Sequence, residues 1–223
     1  MELVLSRSQL AVFDFGRAFG AVDTPSSQNL EHTFQDVSKA LGSALVVGGM
    51  AVIHHGYERG TQDVDIIYFN HDEADILRRL KKEFKVVTKA KSGWHHLQHR
   101  KTKVRLELIP EGGLGTYGFI PSPKVLGSDG GFVSLRGLIW LKLIAGRMQD
   151  LADIVILAKQ RMKVLRGVKR ELPPEFHARY EELLVQAQRE LDTDPDPNSL
   201  IGGRVRESPP RYGKRKRRTV KVA

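Results

Sequence analysis

The sequence predicts an α+β fold: a small mixed sheet flanked by helices, then a helical C-terminal part and a disordered tail. Residues 28–133 alternate between apolar spacings typical of helices and of strands, whereas residues 134–191 show helical spacing only. From residue 192 onward, Pro, Gly, Ser and charged residues replace any apolar periodicity, which is typical of disorder. We therefore divide the chain into an unassigned segment at 1–27, a core at 28–133, a helical part at 134–191 and a disordered basic tail at 192–223.

Helix and strand signals alternate through the first part of the core. Apolar residues three or four apart predict a first helix, with Ser26, Ser27 and Asn29 as candidate caps. Gly48-Gly49 then predicts a turn between a buried strand and a second helix. The predicted elements, in order, are a helix at 28–42, a strand at 44–47, a helix at 50–55, a strand at 61–69 and a helix at 72–84.

Three short strands and then helices are predicted for the rest of the folded part. Residues 84–87, a Lys-Ser-Gly turn, residues 95–99 and residues 104–109 predict three strands in a meander. Helical spacing returns over residues 134–159. Pro173, Pro174 and Glu175 introduce a last amphipathic helix, which we expect to end near residue 191.

Composition excludes several classes of protein. The 223 residues contain no cysteine, which excludes a disulfide scaffold, a thiol nucleophile and cysteine-ligated zinc. The longest central apolar run, residues 43–53, is shorter than the about 20 residues that a membrane-spanning helix needs. Glu2 and Arg7 interrupt the apolar stretch that a secretion signal would require. We therefore expect a cytoplasmic protein without membrane contact.

The positive charge is concentrated at the C-terminal end. The formal net charge is +10, and residues 204–223 hold nine basic residues and one acid, so residues 1–203 carry only +2. The basic run from Lys214 to Arg218 would bind RNA, DNA or an acidic protein through release of counterions, or act as a nuclear import signal. A solvated tail that only aids solubility is the alternative.

Asp63 and Asp65 are the first candidate catalytic residues. Because side chains alternate along a strand, both project from one face while Val64 and Ile66 point into the core. Two adjacent carboxylates repel, and a divalent cation relieves that repulsion. Oxygen ligands favour Mg²⁺ or Mn²⁺, and magnesium is commonly shared between protein carboxylates and substrate phosphates. The pair therefore indicates a metal site that takes its remaining ligands from a nucleotide.

A candidate phosphate-binding turn lies upstream of the two aspartates. Gly48-Gly49 separates a strand from a helix, so its backbone can come close to a phosphate. Arg59 can add a guanidinium and Thr61 a hydroxyl. A glycine pair alone most often only turns the chain, but its combination with Asp63 and Asp65 is a strong signal for nucleotide binding.

These motifs resemble the signature of a known superfamily. Gly48-Gly49, His55-Gly56, Arg59, Thr61 and Asp63-Val64-Asp65-Ile66 look like those of the DNA polymerase β-like nucleotidyltransferases, above all the minimal bacterial branch that includes AbiEii-type toxins. The similarity covers roughly residues 30–160. It implies the polymerase β-like fold, two Mg²⁺ ions held by Asp63 and Asp65, and an NTP as substrate.

The resemblance implies two further site residues. Glu107 matches the third metal-binding carboxylate, a position where the superfamily more often has aspartate; the alternative is a cross-strand partner for a Lys or Arg. Lys142 falls in a matching helical segment and would reach the triphosphate, assisted by Arg147. In the alternative, Lys142 is solvated while Asp150 and Asp153 stabilise the start of a new helix.

The function that follows from the resemblance is transfer of a nucleoside monophosphate from NTP to an acceptor, with release of pyrophosphate. The superfamily permits RNA such as tRNA, a protein side chain or a small molecule as acceptor, and the basic tail favours RNA. The AbiEii-like motifs also suggest a toxin paired with an antitoxin protein. One alternative is a catalytically inactive RNA-binding or regulatory module of the same fold; another is that Asp63 and Asp65 are plain surface charges.

Several other polar or aromatic residues are not expected to form sites. His95 and His99 would share one face of a strand and His96 the other, so the three would not converge on a metal. His55 is expected to pack behind the glycine turn, with contact to a nucleotide as the alternative. The two tryptophans, Trp94 and Trp140, are expected in the core or an interface. Ser134 lacks an arranged base for hydrolysis.

Overall fold

A computed structural model describes residues 25–90 and 93–196. The helices of these residues are α1 (Pro25–Ser38), α2 (Gly48–His54), α3 (Glu73–Leu80), α4 (Pro123–Leu126), α5 (Leu135–Ala145), α6 (Met148–Val168) and α7 (His177–Thr193). The strands are β1 (Leu45–Val47), β2 (Asp63–Tyr68), β3 (Phe84–Lys89), β4 (His95–His99), β5 (Arg105–Pro110), β6 (Ser128–Asp129) and β7 (Phe132–Val133). The predicted basic tail beyond residue 196, and most of segment 1–27, lie outside the described residues.

The strands form one mixed sheet in the order β3-β4-β5-β2-β1-β7-β6. β3, β4 and β5 are antiparallel neighbours, as the predicted meander requires. β5 then pairs parallel with β2, and β2 pairs antiparallel with β1. The α+β class, the mixed sheet and the helical C-terminal part are confirmed. Whether 28–133 and 134–191 are separate domains stays a prediction.

Most element boundaries differ from the prediction by a few residues. α1 begins at Pro25, so Asn29 lies inside the helix and the predicted caps are wrong; proline suits the first turn because its missing N–H would be unpaired there. α3 ends at Leu80 because Phe84 pairs with His99 in the sheet. α2 begins at Gly48 instead of residue 50.

The two faces of the sheet have different surroundings. The side chains of Val64, Ile66, Leu106 and Leu108 are buried on one face. α1 packs on that side, where Phe34 stacks on Phe132 of β7 with ring centroids 5.7 Å apart. The opposite face carries polar side chains from β2 and β5 and looks across a cavity toward α5 and the start of α6.

The C-terminal helices are held together by buried polar contacts as well as apolar packing. Lys159 of α6 contacts Glu190 of α7 at 3.2 Å with both side chains buried. The Tyr180 hydroxyl donates to the carbonyl of Leu165 at 2.9 Å. Over residues 25–90 and 93–196, no helix has the length and apolar character needed to cross a membrane.

Candidate active site

Asp63 and Asp65 lie on the cavity face of β2, as the two-residue period of a strand predicts. Both are partly exposed in the cavity, whereas Val64 and Ile66 are buried on the other face. β2 is the fourth of the seven strands in the sheet order, with β5 on one side and β1 on the other. The pair is therefore presented by the middle of the sheet.

Glu107 lies beside Asp65 on the neighbouring parallel strand. Asp65 pairs in register with Glu107, and Asp63 pairs with Arg105. Glu107 and Arg105 also line the cavity. The predicted third carboxylate is thus on the same face as the first two, with an arginine next to them.

Burial and repulsion among these carboxylates change the pKa of Asp65. Burial of its carboxyl, together with the charges of Asp63 and Glu107, raises the pKa of Asp65 to about 7. The cations Lys142 and Arg147 oppose that rise without cancelling it. A cation bound among the carboxylates would therefore relieve an unfavourable charge arrangement.

The glycine pair approaches the carboxylate group directly. Gly48 has φ +62°, and a Cβ placed on it would lie 1.8 Å from Oδ2 of Asp65. A Cβ on Gly49 would lie 2.4 Å from Oγ1 of Thr61. Both positions therefore require glycine for steric reasons, and Gly48 also for its backbone conformation. The pair forms the first turn of α2, not a separate loop before it.

Thr61 and Arg59 sit next to the glycine pair and each contacts an aspartate, although Nε of Arg59 is buried without a hydrogen-bond partner among the described residues. The Thr61 hydroxyl donates to Oδ1 of Asp63 at 3.3 Å. Arg59 lies with Nε 3.1 Å from Oδ1 of Asp153, and its Nη2 would be 3.2 Å from a Cβ on Gly49. The structure therefore places both residues at the predicted site, where Thr61 orients Asp63 and Arg59 connects the glycine turn to α6.

Lys142 is buried in an ion-pair network on the wall facing the sheet. Its Nζ lies 2.7 Å from Oδ1 of Asp150 and 2.7 Å from Oδ2 of Asp153. Burial alone would raise the pKa of Asp150, but hydrogen bonds from Arg147 and Lys142 hold it below its ordinary value. The solvated interpretation of Lys142 is therefore wrong, whereas contact of its ammonium with a triphosphate stays a prediction.

The role expected for Asp150 also changes. α6 begins at Met148 with Arg147 at its cap position, so Asp150 lies in the first turn and does not cap the helix. Arg147 donates from Nε to Oδ2 of Asp150 at 2.7 Å. As expected, Asp150 lies near the N-terminus of α6, where a negative charge is favourable. Its ion pairs with Lys142 and Arg147 were not visible in the sequence.

The cavity between the sheet and α5 has a volume of about 1260 Å³. Its lining includes the three carboxylates, Arg59 and Arg105, and also the apolar residues Ile67, Ile109, Ile120 and Ile144. Trp94 also lines the cavity, and its Nε1 is buried without a hydrogen-bond partner among the described residues. This volume suits a nucleotide-sized ligand with one charged and one apolar part.

Sequence reasoning missed two neighbours of the carboxylates, Arg105 and His96. Nδ1 of His96 lies 3.4 Å from Oε1 of Glu107, because β4 and β5 bring these residues opposite each other. Arg105 is two residues before Glu107 and so shares its face. Both positions follow from the predicted meander once its register is known. Glu107 thus has a cross-strand partner, although it is a histidine and not a Lys or Arg.

The histidine predictions agree with the structure in part. His95 and His99 lie on the buried face and His96 on the cavity face, so the three do not converge. His55 is buried, and its Nε2 lies 2.8 Å from the carbonyl oxygen of Val133. Burial lowers the pKa of His55, which favours the neutral imidazole.

The donor set of the cavity fits a hard divalent cation. Asp63, Asp65 and Glu107 offer only carboxylate oxygens, which suit Mg²⁺ or Mn²⁺, and the raised pKa of Asp65 marks the need for positive charge.

No model of a known protein family matches the chain, and no curated protein matches it significantly.

Proposed function

We propose that this chain is a metal-dependent nucleotidyltransferase with the polymerase β-like fold, which moves a nucleoside monophosphate from NTP to an acceptor hydroxyl. The observation that carries the proposal is the meeting of Asp63, Asp65 and Glu107 on one face of the sheet, directly against Gly48. The order of the central strands, with antiparallel β1 and parallel β5 on either side of β2, supports it.

Asp63, Asp65 and Glu107 would hold Mg²⁺ or Mn²⁺. When bound, the metal would lower the pKa of the attacking hydroxyl and neutralise charge on the leaving pyrophosphate. Thr61 fixes the orientation of Asp63 through its hydrogen bond. The chain thus supplies three anionic ligands, one of them already oriented by a neighbour.

The protein's own groups would position the phosphates. Gly48 and Gly49 lack a Cβ, so Asp65 and Thr61 pack directly against their backbone, and the carboxylate lies next to the turn that would bind the phosphates. Arg59 and Arg105 line the same cavity and carry the positive charge that a triphosphate requires. Lys142 acts indirectly, because it holds Asp153, which in turn contacts Arg59.

In the proposed reaction, the acceptor oxygen forms a bond to the α-phosphorus of the NTP. The bond from that phosphorus to the bridging oxygen breaks, and pyrophosphate leaves with the electron pair. The hydroxyl proton passes to a carboxylate of the site, and we assign this role to Glu107, which lies beside Asp65. Positioning and charge stabilisation supply the remaining rate enhancement.

RNA is the acceptor class that we favour, because the basic run from Lys214 to Arg218 would bind a polyanion. A role as a toxin neutralised by an antitoxin protein is a further part of the proposal and rests on the resemblance alone. It predicts slowed growth when the chain is expressed by itself.

A second candidate function is a nucleotide-binding regulatory module without turnover. Two observations favour it: Lys142 is committed to two aspartates, and Glu107 is engaged by His96. Such a module would bind NTP in a metal-dependent way and give no product.

The test is a label-transfer assay with each α-labelled NTP, Mg²⁺, and total RNA and total protein as acceptors. We expect label in one acceptor class with the native chain and none with Asp63→Asn or Asp65→Asn. Asp192→Asn changes an exposed carboxylate far along the chain and should retain activity. Transfer that survives both site substitutions would refute the metal assignment; metal-dependent NTP binding without transfer would favour the regulatory module.

A further inference from the structure

A second cluster of metal-ligating side chains lies on the opposite face of the sheet from the candidate active site. His32 and Asp36 are four residues apart on α1 and share one side of that helix. His99, at the end of β4, faces them. One ligand atom from each of the three residues lies within 4.8 Å of the other two.

The spacing of these atoms is close to that of a zinc site. Nε2 of His99 lies 3.3 Å, and Nε2 of His32 3.8 Å, from the same oxygen, Oδ2 of Asp36. Zinc bonds of about 2.0–2.1 Å in tetrahedral geometry place ligand atoms about 3.3 Å apart. Small side-chain movements would therefore bring the three atoms within bonding distance of one ion. The ion can reach the site from solvent because the His32 side chain is half-exposed.

The second oxygen of Asp36 is already held. Lys39 donates from Nζ to Oδ1 of Asp36 at 2.6 Å, so Oδ2 is the oxygen left to face the two imidazoles. Hydrogen bonding of a ligand carboxylate by an outer residue is a regular feature of metal sites, because it fixes the direction of the free oxygen.

A chain of hydroxyl groups can orient the buried imidazole of His99. Thr33 donates to the carbonyl oxygen of Asn29 at 2.7 Å, so in its 2.6 Å contact with Thr102 it is the acceptor. Oγ1 of Thr102 then remains an acceptor for Nδ1–H of His99, 2.8 Å away. With the proton on Nδ1, Nε2 presents its lone pair toward Asp36 and His32.

The metal-free chain also offers the other neutral tautomer of His99. The backbone N–H of Thr102 can donate to Nδ1 at 3.1 Å, which leaves the proton on Nε2 to bond with Asp36. Binding of a metal at Nε2 would select the Nδ1–H tautomer. The choice between the two tautomers therefore provides a spectroscopic signature of binding.

The other histidine group, His54, His55 and Asp129, is a weaker candidate. Its two histidines are sequence neighbours, and adjacent side chains on a helix do not face each other. Nε2 of His55 is engaged with the carbonyl oxygen of Val133 at 2.8 Å. Asp129 is exposed, on a strand of two residues.

We propose that His32, Asp36 and His99 form a binding site for a divalent transition-metal ion of the class that prefers imidazole, with Zn²⁺ the best fit. The site joins α1 to β4 on the face of the sheet that does not carry Asp63 and Asp65. Imidazole nitrogen suits Zn²⁺, Ni²⁺ or Co²⁺, whereas Mg²⁺ prefers an all-oxygen set. The bound ion anchors α1 to the sheet and is independent of nucleotide chemistry.

The test is calorimetric titration of the full chain with Zn²⁺, in excess Mg²⁺ to occupy oxygen-ligand sites. We expect one Zn²⁺ per chain and a rise in Tm on binding. His32→Ala and His32→Gln should each weaken binding by about 100-fold or more, because loss of even an outer-sphere partner costs 10- to 100-fold. His32 is half-exposed, so both variants should fold.

Two control variants separate this site from other histidines. His71 is exposed and contacts a carboxylate, Asp72, at 3.4 Å without a third ligand, so His71→Ala should bind Zn²⁺ normally. His54→Ala should do so as well. In ¹⁵N spectra of the imidazoles, Zn²⁺ should fix His99 as the Nδ1–H tautomer while Mg²⁺ alone leaves it unchanged. Unchanged affinity in both His32 variants, loss of binding in His54→Ala, or no Zn²⁺ binding by the native chain would each overturn the proposal.

Discussion

Gly48 and Asp65 are in such close contact that a Cβ on the glycine would lie only 1.8 Å from Oδ2 of the aspartate. This contact joins the start of α2 to the centre of β2. It holds the Asp65 carboxylate against the backbone of the glycine turn, next to which phosphate oxygens and a metal would have to bind.

Gly48→Ala should therefore remove nucleotide transfer and metal-dependent NTP binding, because the new Cβ displaces the Asp65 carboxylate. Gly42→Ala is a matched control: Gly42 has φ +56°, close to the +62° of Gly48, and its Cβ would meet nothing within 4 Å. Both variants should lose about 1–2 kcal/mol of stability from the left-handed backbone. Urea unfolding and NTP binding should be measured for both. Equal loss of binding would show that backbone strain, and not the carboxylate contact, is responsible.

Asp65→Asn should stabilise the metal-free chain at high pH. The folded state keeps a proton on Asp65 up to about pH 7, whereas the unfolded chain loses it near 3.8. The folded state thus binds more protons between these values, so stability should fall as pH rises from about 4 to about 7 and level off above. Asparagine removes this loss, which gives a gain on the order of 4 kcal/mol at pH 8, because the pKa rises from 3.8 to about 7 on folding.

This difference is measured by urea unfolding in EDTA at pH 5 and pH 8. Asp192→Asn, an exposed carboxylate, should keep the native pH dependence. Identical pH slopes for the native chain and Asp65→Asn would contradict the raised pKa. Saturating Mg²⁺ should restore stability at pH 8 to the native chain and have little effect on the variant, because asparagine is a poor ligand.

The local pattern of the sequence placed the three carboxylates on strands and on one side of each strand. The alternation of Val64 and Ile66 with Asp63 and Asp65 was sufficient for that, because a strand has a period of two. It could not reveal that β2 pairs in parallel with β5, since the residues that meet, Asp65 and Glu107, are separated by two strands and a helix.

Tertiary pairing also explains what the sequence could not show about Lys142 and the histidines. Lys142 meets Asp150 and Asp153 only because α5 and α6 fold back on each other through Gly146. His99 meets Asp36 from a distant strand, so its grouping with neighbouring histidines was misleading. The start of a helix also depends on individual residues, as in α1, which begins at Pro25.

Lys142→Met should destabilise the chain by about 3–5 kcal/mol, because Asp150 and Asp153 would be left buried without their shared cation. Lys169→Met is the matched control, since Lys169 and Glu181 form an exposed pair and their loss should cost less than about 1 kcal/mol. Chemical unfolding of both variants checks this. If Lys142→Met keeps native stability and loses only NTP affinity, then Lys142 binds the triphosphate as the superfamily resemblance implied.

Deletion of residues 204–223 should weaken RNA binding and flatten its dependence on salt. This segment carries a charge of +8, whereas the remaining chain carries +2. Each single-strand phosphate neutralised contributes about −0.7 to the slope of log affinity against log salt. Replacement of the five basic residues from Lys214 to Arg218 by glutamine should therefore reduce the slope by up to about 3.5 while the chain length stays native. Fluorescence anisotropy with a labelled RNA at several salt concentrations measures this slope.

An unchanged slope in both variants would place the RNA contacts on the folded part, where Arg59, Arg105 and Arg147 would be the next cations to replace.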